Sequence, residues 1–371
     1  MQLSMNSKLM TIFTQIEDKR RALGRLHNLN DIVVMAVVAV LCGADTWNEI
    51  EMFCKAKEDW LIKFLGLNNG IPSHDTFNRV ISSIDHKVFE EKFIEWTSEL
   101  INISGQKEII SIDGKTVRGA KSNGKKSPIH IVSAWASQNS LVLGQVKTDE
   151  KSNEITAVPE LLNSLFIKNS IVTADAMSCQ KDIAKKIIEK EADYILAVKG
   201  NQKQLLQNIE EEFKFGKDIS VYEDVDFGHG RIETRRCSLI SNFQFIAEDN
   251  GWADLKSVIK IESKREFKNS NKETETMTRF YITSLEGEPK ELLHYIRTHW
   301  EIENKLHWRL DIAFREDESR KRINNAAENF AILRKIVLNL LRNDKSKKVG
   351  LKSKRLIAGW DYNYLESLLK I

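Results

Sequence analysis

The stretch Ile109-Ile110-Ser111-Ile112-Asp113-Gly114-Lys115-Thr116-Val117-Arg118-Gly119 decides how the rest of the chain is read. Ile109, Ile110 and Ile112 are β-branched and predict a strand buried on both faces. Asp113 stands at its C-terminal end, and an isolated Asp-Gly pair would be no more than a turn signal. Two features give it more weight. Lys115 and Arg118 put positive charge just beyond the acid, and a second apolar run, Ile171-Val172-Thr173-Ala174, also ends on an acid, Asp175. A third acid lies on a helix far downstream. Three carboxylates from distant segments are what a site for two divalent metal ions needs.

The whole chain bounds this reading. With 371 residues it is long enough for two or three structural units and a proper core. Charged residues make up 29%, yet the net charge is only +3, so any nucleic-acid surface must come from local clustering. Cys42, Cys54, Cys179 and Cys237 show no CxxC spacing, which argues against a zinc site or a disulfide framework and for reduced thiols in the cytoplasm. No signal peptide is evident at the start. The longest uninterrupted apolar run, Ile32 to Cys42, is too short to span a bilayer and predicts a buried helix. The eight tryptophans suggest core packing more than base stacking.

Residues 9–104 read as helical. Asp31 can cap the apolar helix that ends near Cys42, Thr46 the next helix, and Ser73 a helix carrying His74, Asp75, Asn78 and Arg79. Such a unit fits either a DNA-binding surface or a scaffold with a solvated face. From 108 the pattern turns to strands alternating with helices, an α/β layer. Strands are predicted at 109–113, 129–135, 141–146, 171–175 and 194–198, with Lys115–Lys126 as an exposed basic loop. Residues 221–284 read as a β-rich insertion with a polar hairpin tip at 268–276, and the chain is helical again from Pro289. The basic run Lys345, Lys347, Lys348, Lys352, Lys354 and Arg355 is either a solvated tail or a phosphate-holding one.

The helix from Pro289 to Phe314 offers Glu301 and Glu303 as third acid. At about 100° per residue, Leu292, Ile296, Trp300, Leu306, Leu310 and Phe314 fall within about 60° of Glu303, whereas Glu301 lies roughly 160° away beside Lys305. A carboxylate centred on a buried stripe needs an ion pair or a metal. The wheel therefore selects Glu303 and predicts it to be buried.

Several stretches together resemble a known family. These are Leu41-Cys-Gly-Ala-Asp-Thr-Trp47, Gly70-Ile-Pro-Ser-His-Asp-Thr-Phe77, Ile112-Asp-Gly-Lys115, Thr173-Ala-Asp-Ala176, Val198-Lys-Gly-Asn-Gln202 and His299-Trp-Glu-Ile-Glu-Asn304 with Leu306-His-Trp308. The chain resembles the DDE transposases of bacterial insertion sequences, in the H-repeat-associated group, over nearly its whole length. The resemblance implies an α/β (α+β) fold with a ribonuclease-H-like mixed-sheet catalytic core. It also implies an N-terminal helical domain (1–104), a catalytic domain (105–345) with the β-rich insertion at about 221–284, and a basic C-terminal segment (346–371). Asp113, Asp175 and Glu303 would be the catalytic, metal-binding triad for two Mg²⁺ ions, with Mn²⁺ as a substitute. The activity implied is DNA cleavage and strand transfer at the terminal inverted repeats of an element. The partners are double-stranded element and target DNA, a second copy of the chain on that DNA, and no membrane. The location implied is a bacterial cytoplasm, with nucleoid association when DNA is bound. The alternatives are a transposase-derived regulatory DNA-binding protein and a ribonuclease-H-like nuclease.

The sequence departs from related transposases around the last acid. Their Tyr, Arg and Lys positions hold Ile296, His299 and Leu310 here. Candidate DNA contacts are therefore Lys115, Arg118, Lys199, Asn201, Arg231, Arg235, Arg236, Arg297, His299 and Lys305, with His307 as a further substitute. Arg315, Arg320, Lys321 and Arg322 alternate with Glu316, Asp317 and Glu318 and read as a salt-bridged helix surface.

Overall fold

A computed structural model describes residues 8–21, 25–101, 107–121, 128–148, 154–228, 230–247, 250–268 and 272–370. The expected 104/105 boundary, the end of the basic loop and the tip at 269–271 lie outside the described residues.

Six helices come first: α1 (Lys8–Phe13), α2 (Leu29–Leu41), α3 (Trp47–Ala56), α4 (Glu58–Leu65), α5 (His74–Ser83) and α6 (His86–Leu100). Nearly every residue of α2 is buried, as its unbroken apolar run predicts. Thr46 and Glu49 form a reciprocal capping box at α3, and Ser73 caps α5. The N-cap of α2 is Asn28, which leaves Asp31 in the first turn, where its charge suits the helix dipole.

The centre is one nine-stranded sheet in the order β3-β2-β1-β4-β5-β9-β8-β7-β6. Its first strands are β1 (Ile109–Lys121), β2 (Pro128–Ala136), β3 (Leu141–Thr148), β4 (Ile171–Ala174) and β5 (Asp193–Val198). The others are β6 (Ser220–Gly228), β7 (Arg231–Ile240), β8 (Ser257–Phe267) and β9 (Glu275–Thr283). β1, β4 and β5 run parallel, and every other pairing is antiparallel. The β-rich region therefore extends the central sheet through the β5–β9 pairing instead of forming a sheet of its own. β1 also corrects an expectation: the strand does not stop at Asp113 but continues to Lys121, because β2 pairs with it past Gly114 and Lys115.

One sheet face packs on α7 (Glu154–Ser164), α8 (Lys181–Glu189) and α9 (Lys203–Phe215), burying Ile110, Ile112, Val172 and Ala174. The opposite face buries Ile171, Ile195, Ile259 and Tyr281 against α10 (Pro289–His299). A π turn, Ile302–His307, then leads into α11 (Trp308–Phe314). The chain closes with α12 (Ala326–Asn343), α13 (Leu351–Trp360) and α14 (Tyr362–Leu368), which share one hydrophobic cluster with α1–α6.

Other expectations change. Lys354 and Arg355 of the basic run are buried: Lys354 Nζ donates to the carbonyls of Leu341 and Asp344, and Arg355 to that of Val40. Trp96 and Trp135 are core residues, but Trp300, Trp308 and Trp360 are exposed. No described helix is long and apolar enough to cross a membrane.

Candidate metal site and its surroundings

Strand register builds the base of the site. The parallel ladder between β1 and β4 ends with Ile112 opposite Ala174, so Asp113 and Asp175 are the next residues on adjacent strands. Side chains alternate across a sheet, which puts Ser111, Asp113, Thr173 and Asp175 on the face that α10 covers. Thr173 Oγ1 lies 3.3 Å from Ser111 Oγ and 3.0 Å from His299 Nδ1. His299 thus stands over the Ser111–Thr173 row. One row along the strands is about 6.6 Å, and one helical turn is about 5.4 Å, so Glu303, four residues after His299, falls over the aspartate row.

The side chains follow this scheme. The Glu303 carboxylate faces that of Asp113, and His307 Nδ1 lies 3.4 Å from Glu303 Oε2 and 3.5 Å from Asp113 Oδ2. One ligand atom from each of Asp113, Glu303 and His307 falls within 4.8 Å of the others, close enough to share a cation. Asp175 is beside this trio but not of it: its Oδ1 accepts from the backbone N–H of Met177 and Ser178 at 3.0 and 3.3 Å. Asn201 donates to the Ala176 carbonyl at 2.6 Å, and Gln202 to that of Cys179 at 2.9 Å, so the Val198–Gln202 stretch braces the turn after Asp175.

Burial, with Glu303 and Asp175 nearby, pushes the Asp113 carboxyl up to about 8. The His307 ring beside Glu303 holds that carboxyl below its ordinary value. A cation between the acids would reverse the pressure on Asp113. The donor set of two carboxylates and one imidazole, with the Asp175 carboxylate beside it, suits a hard divalent ion such as Mg²⁺ or Mn²⁺. Burial pushes His299 down to about 4, and its ring lies against Thr173 in the row beneath.

The predicted burial of Glu303 is wrong. Its side chain is 53% exposed, Trp300 is also exposed, and Glu301 pairs with Lys305 at 2.6 Å. The wheel assumed one regular helix over one core. Instead, Leu292, Leu293 and Ile296 of α10 pack against the sheet, while Ile302, Leu306, Leu310 and Phe314 pack into the helical cluster. The π turn re-phases the segment between the two cores, and Glu303 lies in that turn, facing the acids from open space.

Three contributors were not singled out from sequence. His130 and Glu154 form a buried pair at 2.5 Å against Gly114, where a Cβ would collide with both. Their meeting joins β2 to the start of α7 and leaves no local signal. Glu316 is buried in a turn, 3.1 Å from Lys115 Nζ. His307 as a site partner was detectable, since it follows Glu303 by four residues.

The cation candidates divide. Lys115 is not on a loop: it is a half-buried partner of Asp311, Glu316 and Asp317. Arg231 and Arg235 pair with Glu233, Arg297 with Asp224 at 2.9 Å, and Lys305 with Glu301. Arg118, Lys199 and Arg236 are exposed, with Arg118 3.4 Å from Asp317. In the turn after α11 the expected surface pairing holds for Arg315 and Glu318, but Glu316 and Lys321 are buried.

A family model described as "Transposase DDE domain" matches residues 104–340, and one described as "DDE_Tnp_1-associated" matches residues 10–97. The chain belongs to the DDE transposase family, in its H-repeat-associated group. It is 46% identical over 369 residues to "Putative transposase YncI" of Escherichia coli O157:H7, covering 97% of this chain and 94% of that protein. It is 41% identical over 374 residues to "H repeat-associated putative transposase YhhI" of Escherichia coli strain K12, covering 98% and 97%. A cryo-EM structure of the piggyBac transposase synaptic complex with hairpin DNA is similar at a TM-score of 0.45 and 12% identity, over 97% of this chain and 76% of that one.

Proposed function

We propose that this protein is an active transposase that cleaves DNA at the ends of an insertion sequence and joins the freed strand to target DNA. Two Mg²⁺ ions, or Mn²⁺, would be held by Asp113, Asp175 and Glu303, with His307 beside them. The observation that carries this is the β1–β4 register, which leaves Asp113 and Asp175 side by side beneath Glu303. The strand order β3-β2-β1-β4-β5, with acids just past β1 and β4, supports a ribonuclease-H-like reading of the core.

Bound cations would supply Lewis acidity at the phosphodiester and a lowered pKa for the attacking water or 3′-hydroxyl. The chain's own residues prepare for that chemistry. Asp113, whose carboxyl is pushed up by burial and by Glu303 and Asp175, would be the group that releases a proton to a bound cation. The backbone N–H groups of Met177 and Ser178 fix Asp175 Oδ1, and the carboxylate so held would be the third acid for a cation. His307 orients Glu303 and Asp113 toward each other. Arg118, Lys199 and Arg236 would contact DNA phosphates, while Asn201 keeps the Asp175 turn in place. The partners would be element-end and target duplexes and a second copy of the chain, in a bacterial cytoplasm.

Purified protein incubated with plasmid carrying the element's ends should nick and join DNA in Mg²⁺ and do neither in EDTA. Equal cleavage by Asp113→Ala would remove the assignment. Metal-independent DNA binding without cleavage would favour a regulatory protein.

A further inference from the structure

Beyond the acidic site, a cavity of about 610 Å³ opens beside the far end of β1. Its wall combines Thr46 at the cap of α3, Arg118 on β1, Arg320 and Arg322 on the turn after α11, and Arg334 from the middle of α12. The acids on this wall are already engaged. Asp45 holds Arg355 at 2.8 Å, Glu318 holds Arg315, and Asp317 lies 3.8 Å from Lys115 and 3.4 Å from Arg118. Lys321 is also committed, donating to the Asp45 carbonyl at 2.9 Å.

The remaining arginines form no ion pair among the described residues. Arg320 and Arg322 are exposed and have no acid partner among the described residues. Arg334 is only 1% exposed; its Nε has no hydrogen-bond partner, and no described carboxylate lies within 4 Å of it. Its guanidinium packs 4.6 Å from the centre of the Phe330 ring. A buried guanidinium whose Nε has no acceptor, with Glu316 and Asp45 offsetting its charge only from beyond ion-pair distance, gains from an anion that reaches it directly. The planar fork of arginine matches a tetrahedral phosphate, which can accept two parallel N–H bonds.

We propose that this cavity is a second phosphate site, holding a backbone phosphate of the same DNA on which the acidic site acts; the proposal rests on the transposase reading above. Arg118 is five residues beyond Asp113 on β1, which puts it at most about 17 Å away. That is the axial length of about five base pairs. Arg334 forms the fixed floor of the site, and Arg320 and Arg322 form an open rim along which a polymer can pass. Duplex held at both points would be fixed in register relative to Asp113, so the cavity positions DNA and takes no part in the chemistry.

The test uses the full chain in EDTA, so that binding is read without cleavage. A labelled 30-base-pair duplex is titrated by fluorescence anisotropy from about 50 to 200 mM KCl. Arg320→Ala/Arg322→Ala, both exposed positions, should weaken binding about tenfold on any sequence and lower the log–log salt slope by about one. Arg334→Gln should do the same, and a circular-dichroism melt reports whether it folds; if it does not, the double variant carries the test. Inorganic phosphate should compete with duplex on the wild type more than on the double variant. Unchanged affinity and slope in the folded variants would overturn the proposal. So would phosphate binding that is lost in the variants while duplex binding stays intact, which would make the cavity a site for a free anion. A wild-type chain that fails to bind duplex would overturn both this proposal and the transposase reading.

Discussion

The two segments that supply the site's acids obey different rules. β1 and β4 present Asp113 and Asp175 through strand alternation and register alone, and one residue of slip would turn both acids to the opposite face. The Pro289–Phe314 segment presents Glu303 through an irregularity, a π turn between a helix packed on the sheet and another packed in the helical cluster. The strand acids are anchored from below by a ladder buried on both faces. The helix acid is held at the surface by two contacts, His307 and Asp113. Rigid placement thus comes from the sheet, and adjustability from the turn.

The largest expected effect tests whether these unlike supports serve one site. Asp113→Ala, Asp175→Ala and Glu303→Gln should each lower Mg²⁺-dependent cleavage of element-end DNA by about a thousandfold or more, the rate equivalent of several kcal/mol of charge stabilisation. Duplex binding in EDTA should remain. Retention of cleavage by Glu303→Gln alone would separate the helix acid from the strand acids.

Next comes the rigidity of the strand side. Gly114→Ala would drive a Cβ into His130 and Glu154 at the back of β1. It should cost about 1–3 kcal/mol in urea unfolding, as overpacking does. An unchanged midpoint would show that this side has slack.

A smaller effect distinguishes the acids by pH. Asp113 is pushed up to about 8 in the folded chain, so the native state holds its proton more tightly than the unfolded one. That contribution is fully present below the unfolded carboxylate value near pH 4 and is lost as pH rises through about 8. In EDTA, wild-type melting temperature should therefore decline over this window relative to Asp113→Asn. Mg²⁺, which displaces the proton, should raise it more at pH 8.5 than at pH 6, by about 2 °C per kcal/mol of binding. Parallel pH profiles for wild type and Asp113→Asn would contradict this account. The smallest effect belongs to Glu301→Gln. Its half-exposed i,i+4 pair with Lys305 contributes little, so cleavage and stability should stay within about twofold of wild type. A loss matching that of Glu303→Gln would mean that the π turn presents the other glutamate.

What was legible in the sequence has short range. The β-branched runs ending on Asp113 and Asp175, the buried helix at Ile32–Cys42, and the caps at Thr46 and Ser73 all depend on periods and neighbours within a few residues. The choice of Glu303 over Glu301 also came from the sequence, although its predicted burial did not hold. The rest was settled where distant segments meet. β2 kept β1 extended through Asp113-Gly114, where a turn was expected, and Lys115 became a half-buried ion-pair partner in place of a loop cation. Two separate cores imposed the π turn, because a straight helix can face only one of them. Local sequence therefore determined which residues could be acids on strand ends and which helices would be buried. Only the tertiary structure decided exposure, pairing and proton affinity, because desolvation and Coulomb interaction depend on what lies across space and not along the chain.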